Sequence, residues 1–407
     1  MRVERPPFSG RRIVLGVTGG IAAFKSIGLA RELTLAGSAV DVVPTAAAFE
    51  FVRPLSFEAL TGRSVLSDLY APGDPLLHIR LAREADLVLI APATANFIAQ
   101  AAAGMADHLL GCILLATKAP VLFAPAMNDR MYTHPQTQAN LARLQEIGYH
   151  VAGPAEGLLA FGERAGPGRM IEPDELMEWA ARSLTGETPL SGKRVIVTAG
   201  PTREPIDPVR FLGNRSSGRM GFSLASAAWR MGADVLLVSG PSPLRTPAGV
   251  RRIEIETAIE MADAVRRHLN RSDVLIMAAA VADFRPVSTR DQKIKKQGDS
   301  IPEIVLEHTP DVLGSTMSLR KPGAVVVGFA LETENPIENA TKKLRDKRLD
   351  LLVVNDAGEP GAGFEVPTNR VTLLHASGQR EDLPLLSKDE VAERILERVA
   401  QRLVAGE

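Results

Sequence analysis

The chain has 407 residues, too many for one ordinary core and enough for two domains. Apolar residues make up 45%, charged residues 23% and aromatics only 4%: a soluble globular balance with too few rings for a stacking surface on nucleic acid. The net charge is −1, neither half carries the large excess of Lys and Arg that a phosphate backbone requires, and Cys112 is the sole cysteine. No phosphate backbone is therefore an expected partner, no intrachain disulfide can form, and a cytoplasmic setting is expected.

In chain order, "RRIVLGVTGG" is a strand running into a glycine turn, and "IAAFKSIGLARELTLAG" is a helix that stops at Gly37. The apolar run before that turn is too short for a signal peptide. "SAVDVVPT" is a second strand, and "HIRLAREA" a short helix. Residues 87–106, "LVLIAPATANFIAQAAAGMA", carry no charge and are long enough to span a bilayer. Pro92, Thr94, Asn96, Gln100 and the dominance of alanine argue against lipid, so the segment is expected to be a strand, a turn at "ATAN" and a helix over "FIAQAAAGM". No membrane partner is expected. "VLFAPAM", a helix over "TQANLARLQEIG" and the strand "YHVAGPA" follow.

Residues 183–193, "SLTGETPLSGK", read as a polar linker, after which the pattern restarts. "KRVIVTAGPT" is a strand and turn, "SSGRMGFSLASAAWRMG" a helix ending at Gly232, and "ADVLLVSG", "SDVLIMAAAVAD", "GAVVVGFALE" and "LDLLVVND" are buried strands. "DEVAERILERVAQRLV" is an amphipathic closing helix. Short apolar strands alternating with helices predict an α/β chain of two Rossmann-like parallel-sheet domains, residues 1–188 and 189–407. Ligands in such sheets bind beyond the carboxyl ends of the strands, which points to 18–23, Thr45, 91–96 and 124–128 in the first half.

"GVTGGIAA" is neither G-x-G-x-x-G nor a P-loop, which disfavours a two-domain nicotinamide dehydrogenase. A strand–glycine–helix turn still aims backbone N–H groups at an anion. With the second small-residue turn, "APATAN", it leaves a slot for a planar ring and a phosphate.

These turns, with "GVTGGIAAFK", "HIRLAREADLVLIAPATAN", "AAGMADHLL" and "APAMN", resemble the FMN-dependent cysteine decarboxylase fold, a flavodoxin-like fold. "TAGPTREPIDPVRFLGNRSSGRMG", "AAAVADFRP", "KIKK", "TPDVL", "VVGFALET" and "NDAG" resemble phosphopantothenate–cysteine ligase, a nucleotide-binding fold. Joined in this order they resemble the bifunctional bacterial enzymes of coenzyme A synthesis.

The resemblance implies an N-terminal half that decarboxylates 4′-phosphopantothenoylcysteine. FMN there takes electrons from the thiol and later returns them. Gly19, Gly20, Ser26, Thr45, Thr94 and Asn96 are the implied FMN contacts, with Met105 and Asp107 nearby; His78 is the residue assisting thiol oxidation, and Asn128 holds the substrate carboxylate. Without the resemblance, His78 would read as a cap or surface histidine and Asn128 as an N-cap. One departure stands out. The family's flap has the form A-C-G-x-x-G-x-G-R-M, but this chain has "AFGERAGPGRM", with Phe161 at the proton-donating cysteine. Glu163, water and His78 remain as candidate donors, and Cys112 reads as a small core residue. A ligase whose flavin half is weakened or regulatory is the alternative; flavin prenyl transfer on the same fold is disfavoured by the attached ligase half.

The ligase half implies joining of 4′-phosphopantothenate to cysteine through an acyl-cytidylate formed from CTP. Asn214 is the implied acyl-carboxylate contact, and Lys293 contacts the phosphate and the acyl intermediate. Met277, Ala278, Ala279, Asp283, Pro310, Asp311, Val312, Leu313 and Phe329 match nucleotide contacts, with Lys343 and Lys347 on the triphosphate. Those two lysines are four apart on an expected helix and share a face. Ser216, Ser217 and Gly218 open a helix. A Mg2+ ion would bridge phosphates with few protein ligands, and no metal-binding cluster is evident. Trimers of the flavin half and dimers of the ligase half would combine into a homo-oligomer, a dodecamer.

Overall fold

Strand β3 (Leu87–Ala93) is buried along its whole length, and this burial explains the uncharged run around it. The computed structural model describes residues 7–70, 72–158, 165–295, 303–332, 336–356 and 366–406. The chain separates into two compact units, Met1–Gly186 and Glu187–Glu407.

In the first unit β1 (Arg12–Val17), β2 (Ala39–Pro44), β3, β4 (Val121–Pro125) and β5 (His150–Val151) form one parallel sheet in the order β2-β1-β3-β4-β5. Helices α1 (Ala23–Leu35), α2 (Pro54–Thr61), α3 (Leu77–Glu84), α4 (Ala95–Ala102), α5 (Leu109–Ala116), α6 (Asp129–Thr133) and α7 (Pro135–Glu146) connect them. A hairpin of β6 (Ala155–Leu158) and β7 (Ala165–Arg169) precedes α8 (Pro173–Thr185). Alternate strand residues feed opposite faces. Ile13, Leu15 and Leu89 join Leu29 and Leu33 of α1 and Leu176 of α8 in one core; Val14, Val88, Ile90 and Phe123 join Leu81 of α3, Ile113 of α5 and Leu144 of α7 in the other. Helices on both faces cover nearly all of β1 to β4, so these strands need no polar alternation. The strand expected over "YHVAGPA" shrinks to two residues before Gly153 and Pro154, and α4 begins at Ala95, inside the expected turn, because Thr94 caps it.

The second unit holds β8 (Arg194–Ala199), a short pair β9 (Glu204–Pro205) and β10 (Phe211–Leu212), α9 (Arg219–Arg230), β11 (Asp234–Ser239), β12 (Arg251–Glu254), α10 (Ala258–Leu269) and β13 (Val274–Met277). A second short pair follows, β14 (Phe284–Pro286) and β15 (Leu306–His308), then α11 (Val312–Ser315), β16 (Val325–Glu332), α12 (Pro336–Asp346) and β17 (Leu351–Asp356). β18 (Thr368–Asn369), β19 (Val371–His375), β20 (Arg380–Asp382), β21 (Leu386–Ser387) and α13 (Lys388–Ala405) complete it. The main sheet runs β12-β11-β8-β13-β16-β17-β19-β20; its first six strands are parallel, and β19 and β20 add an antiparallel edge that the apolar pattern did not predict.

Each sheet reverses its winding once, between β1 and β3 and between β8 and β13, and such reversals open a crevice at the carboxyl ends. In the second unit the crevice depends on Gly221 of α9, where an added methyl would lie 2.5 Å from Ala199 Cβ and 2.9 Å from the Thr198 carbonyl oxygen. Gly221→Ala is expected to force α9 off β8 and cost about 1–3 kcal/mol, read as a lower urea midpoint with an unchanged denaturant slope. An unchanged midpoint would show that this contact does not set the helix–strand distance.

Candidate active sites

The first crevice holds a cavity of about 880 Å3 at the ends of β1 and β3. Thr18 stitches the two strands: its hydroxyl donates to the Pro92 carbonyl at 2.8 Å and accepts from the Thr94 N–H at 3.0 Å. The Thr94 hydroxyl accepts from Phe97 N–H at 3.4 Å and so caps α4. A methyl on Gly19 would meet Ala47 Cβ at 2.4 Å, so the turn after β1 reaches the loop after β2 only because Gly19 has no side chain. Asn128 caps α6 through its Oδ1, which accepts from Arg130 N–H at 2.9 Å; its amide NH2 remains a donor. Gly19, Gly20, Thr45, Thr94, Asn96 and Asn128 all line this cavity. A largely apolar cavity flanked by the starts of α1 and α4 has the chemistry to hold a flat ring with a phosphate tail.

Four residues expected at or near the flavin are not in its lining. Ser26 is fully buried on α1, and its hydroxyl donates to the Ala91 carbonyl at 2.6 Å, bracing β3 from behind. His78 lies on α3, away from the cavity lining, with its Nδ1 buried and unpartnered among the described residues. Met105 and Asp107 also stand outside the lining. The Cys112 thiol donates to the Ala106 carbonyl at 3.2 Å and does not reach the cavity, while Phe161 and Glu163 lie outside the described residues. The lining adds Lys25, His108 and Arg169, none of which sequence reasoning singled out. Lys25 donates to the Met170 carbonyl at 2.8 Å and pairs with Glu172 at 3.0 Å, and Arg169 pairs with the same carboxylate. Burial would raise the Glu172 carboxyl, but Lys25 and Arg169 outweigh it and hold it below the usual range.

The second crevice holds about 650 Å3 at the ends of β8, β13 and β16. Hydroxyls of Thr198 and Thr202 accept from the N–H groups of Ala279 at 3.2 Å and Ala282 at 3.0 Å, fixing the chain as it leaves β13. The Asn214 amide donates to the Val281 carbonyl at 2.8 Å. From α12, Lys343 donates to the Phe329 carbonyl at 3.0 Å, and Lys347 pairs with Asp311, whose other oxygen accepts from Gly314 N–H at 2.9 Å. Asn214, Met277, Ala278, Ala279, Asp283, Pro310, Asp311, Val312, Leu313, Phe329, Lys343 and Lys347 all line the cavity. So do Asn355, Asn369 and Lys388; the Asn355 amide donates to Asn369 Oδ1 at 3.0 Å. Burial, reinforced by the charge of Arg219, pushes the Lys388 ammonium below its usual range. A lysine opening the last helix carries no spacing signal, which is why it escaped notice.

Lys293 is exposed and does not line the cavity. Its loop is nevertheless anchored, because Ile294 N–H donates to buried Asp207 at 3.1 Å and Arg210 donates to the Ile294 carbonyl at 3.3 Å. Burial would raise the Asp207 carboxyl, but donation from the backbone of Val209, Ile294 and Arg210, with the Arg210 charge, holds it below the usual range. Among the described residues no cluster of three His, Cys, Asp or Glu could hold a metal ion.

Comparison with known proteins divides the chain similarly. Residues 3–185 match a family described as flavoprotein, and residues 190–403 match the DNA/pantothenate metabolism flavoprotein C-terminal domain. The chain is 46% identical over 398 residues to the coenzyme A biosynthesis bifunctional protein CoaBC of Vibrio cholerae, covering 97% of this chain and 99% of that one. It is 44% identical over 397 residues to the protein of the same name from Bacillus subtilis, covering 96% and 97%. Among solved structures, the C-terminal domain of a CoaBC protein is 41% identical with a TM-score of 0.47, covering 54% of this chain and all of that one.

The Asp207 anchor has a pH signature. A carboxyl held low by folding stabilises the native state above its unfolded value, near pH 4, and loses that contribution as pH falls through the folded value. Asp207→Asn is therefore expected to lower the urea midpoint most at neutral pH, with the gap to wild type closing in acid. A gap that stays constant or widens in acid would show that the charge of Asp207 is not what holds the loop.

Proposed function

We propose a division of labour between the two clefts from one premise: the chain belongs to the family of coenzyme A biosynthesis bifunctional proteins, CoaBC. It is a phosphopantothenate–cysteine ligase in its second unit and a phosphopantothenoylcysteine decarboxylase in its first. The observation that carries the assignment of sites is that nearly every expected nucleotide contact converges on one crevice at the β8/β13 reversal, and nearly every expected flavin contact on the other.

In the ligase cleft the carboxylate of 4′-phosphopantothenate attacks the α-phosphorus of CTP, forming the acyl-cytidylate and releasing pyrophosphate. The amine of cysteine then attacks the acyl carbon, and CMP leaves. Lys343 and Lys347 offset the triphosphate charge, Asn214 orients the acyl group, and Lys293 enters on its Asp207-anchored loop to meet the charge that builds at the reacting phosphate. Backbone from 310 to 313 and the wall at Met277, Ala278, Ala279, Asp283 and Phe329 hold the nucleotide. Mg2+ would ride on the phosphates with water, in keeping with the sparse carboxylates of this cleft.

FMN bound in the decarboxylase cleft would supply a two-electron acceptor for the substrate thiol and a donor once CO2 has left. Gly19, Gly20 and the start of α1 would hold its phosphate, Thr45, Thr94 and Asn96 would flank the ring, and the Asn128 amide would donate to the substrate carboxylate. His78 takes the thiol proton. Since His78 does not line its own chain's cleft, that role is filled in a neighbouring copy, which fits trimers of the flavin half; dimers of the ligase half would then complete a dodecamer. No helix among the described residues is long and apolar enough to cross a membrane, and we place the enzyme in the cytoplasm with small metabolites as its partners.

The test separates the two chemistries on one preparation given 4′-phosphopantothenate, cysteine, CTP and Mg2+. Lys293→Ala is expected to lower pyrophosphate release by about 10²–10³. CO2 release from supplied phosphopantothenoylcysteine should stay at the wild-type rate. Wild-type pyrophosphate release would defeat the Lys293 assignment, and failure to find phosphopantothenoylcysteine and 4′-phosphopantetheine among the products by mass would defeat the function.

A further inference from the structure

Asn128, assigned to the substrate carboxylate, follows a turn that is fastened to two strands. Ala126 N–H donates at 3.0 Å to the carbonyl of Ala93, the last residue of β3, and Met127 N–H donates at 2.9 Å to the carbonyl of Gly168 in β7. The second contact is close: a methyl on Gly168 would lie 2.2 Å from the Met127 carbonyl oxygen and 3.3 Å from the Asn128 carbonyl carbon. The seat of β7 therefore sets the path of the backbone into Asn128. β7 is in turn held from α1. Lys25, on the first turn of that helix, donates from Nζ to the Met170 carbonyl at 2.8 Å and to Glu172 Oε1 at 3.0 Å, just beyond the end of β7. Arg169 donates to the same Glu172 oxygen. Lys25, Asn128, Gly168 and Met170 all line the flavin cleft.

Helix stability does not call for a lysine here. Its charge lies at the positive end of the helix dipole, and only 9% of its side chain is exposed. A well-packed apolar side chain commonly serves stability as well as a buried ion pair does. What an apolar side chain could not do is tie α1 to two acceptors at the end of β7. We propose that Lys25 is a positioning residue for decarboxylation: by clamping β7 to α1 it holds Gly168 against Met127 and so fixes the Asn128 amide, an inference that rests on the assignment of Asn128 to the substrate carboxylate. Misplacing a binding group by about 1 Å can cost on the order of 10²-fold in rate, so a partial loosening of the turn is expected to cost about tenfold.

The discriminating variant is Lys25→Met, which keeps the length and apolar stem but donates to neither acceptor. Glu172 retains Arg169 as its partner. In the full-length protein Lys25→Met should melt and bind FMN as wild type does, while kcat/KM for CO2 release from supplied phosphopantothenoylcysteine falls about tenfold. Lys25→Arg, a cation of similar reach, should recover most of that loss. The decisive reading is a double-mutant cycle. Asn128→Ser keeps an N-cap oxygen for α6 but loses the amide donor. In that background Lys25→Met should change kcat/KM by less than about twofold, because the group it positions is gone. Wild-type kcat/KM in Lys25→Met would overturn the inference. So would the same loss with and without the Asn128 amide, or a loss that follows FMN affinity, since either would show Lys25 acting independently of Asn128. If Lys25→Met does not fold, Glu172→Gln loosens the clamp from its other end and is read in the same cycle. An Asn128→Ser protein that decarboxylates at the wild-type rate would bring down the carboxylate assignment itself, and the inference with it.

Discussion

How closely a helix or loop can approach the carboxyl end of a strand decides what this chain can hold. At Gly19 the turn after β1 sits where a methyl would be 2.4 Å from Ala47 Cβ, and at Gly221 helix α9 crosses β8 where a methyl would be 2.5 Å from Ala199 Cβ. Both contacts lie beside a reversal of sheet order, where two neighbouring strands send their connections to opposite faces. The reversal opens a crevice, and the missing side chains let backbone N–H groups line it. Side-chain chemistry then specialises each crevice.

The specialisations differ in kind. The first cleft is bounded by small residues and a few fixed polar groups, which suits a flat, mostly uncharged ring. Its cations, Lys25 and Arg169, are already tied to Glu172. The second cleft gathers Lys343 and Lys347 from one helix face, with buried Lys388 also in its lining. Lys347 and Asp311 are a half-exposed pair, with side chains 30% and 52% accessible. Such pairs contribute at most about 1 kcal/mol, so under the proposed triphosphate role exchanging Asp311 for a phosphate oxygen would cost little, and a charge-assisted bond to phosphate would repay it.

Much of this was legible in the sequence. Buried strands announce themselves by unbroken apolar runs, and residues immediately after them, such as Thr94 and Asn128, fall in the clefts because strand ends have few other places to go. Ser26 failed for a reason the sequence already contained: on α1 it shares a helical face with Ala23, Leu29, Ala30 and Leu33, and that face turns toward the sheet. His78 sits one residue after buried Leu77 on α3, a helix that packs across the opposite face from α1, so motif order could not say which cleft it would serve. The antiparallel edge, β19 and β20, follows short segments whose periodicity is too brief to read. His108 and Lys388 became visible only when tertiary packing brought a cap residue and a helix start into cavity walls.

The central claim is that one chain carries two separate ligand sites, one per sheet reversal. Its most direct measurement is calorimetric titration of the intact protein with FMN and with CTP, each with and without a saturating amount of the other, repeated on Gly19→Val. The account predicts one FMN per chain whether or not CTP is present, and undiminished CTP binding in Gly19→Val, which should lose FMN. Displacement of FMN by CTP, or joint loss of both ligands in a folded Gly19→Val protein, would contradict it.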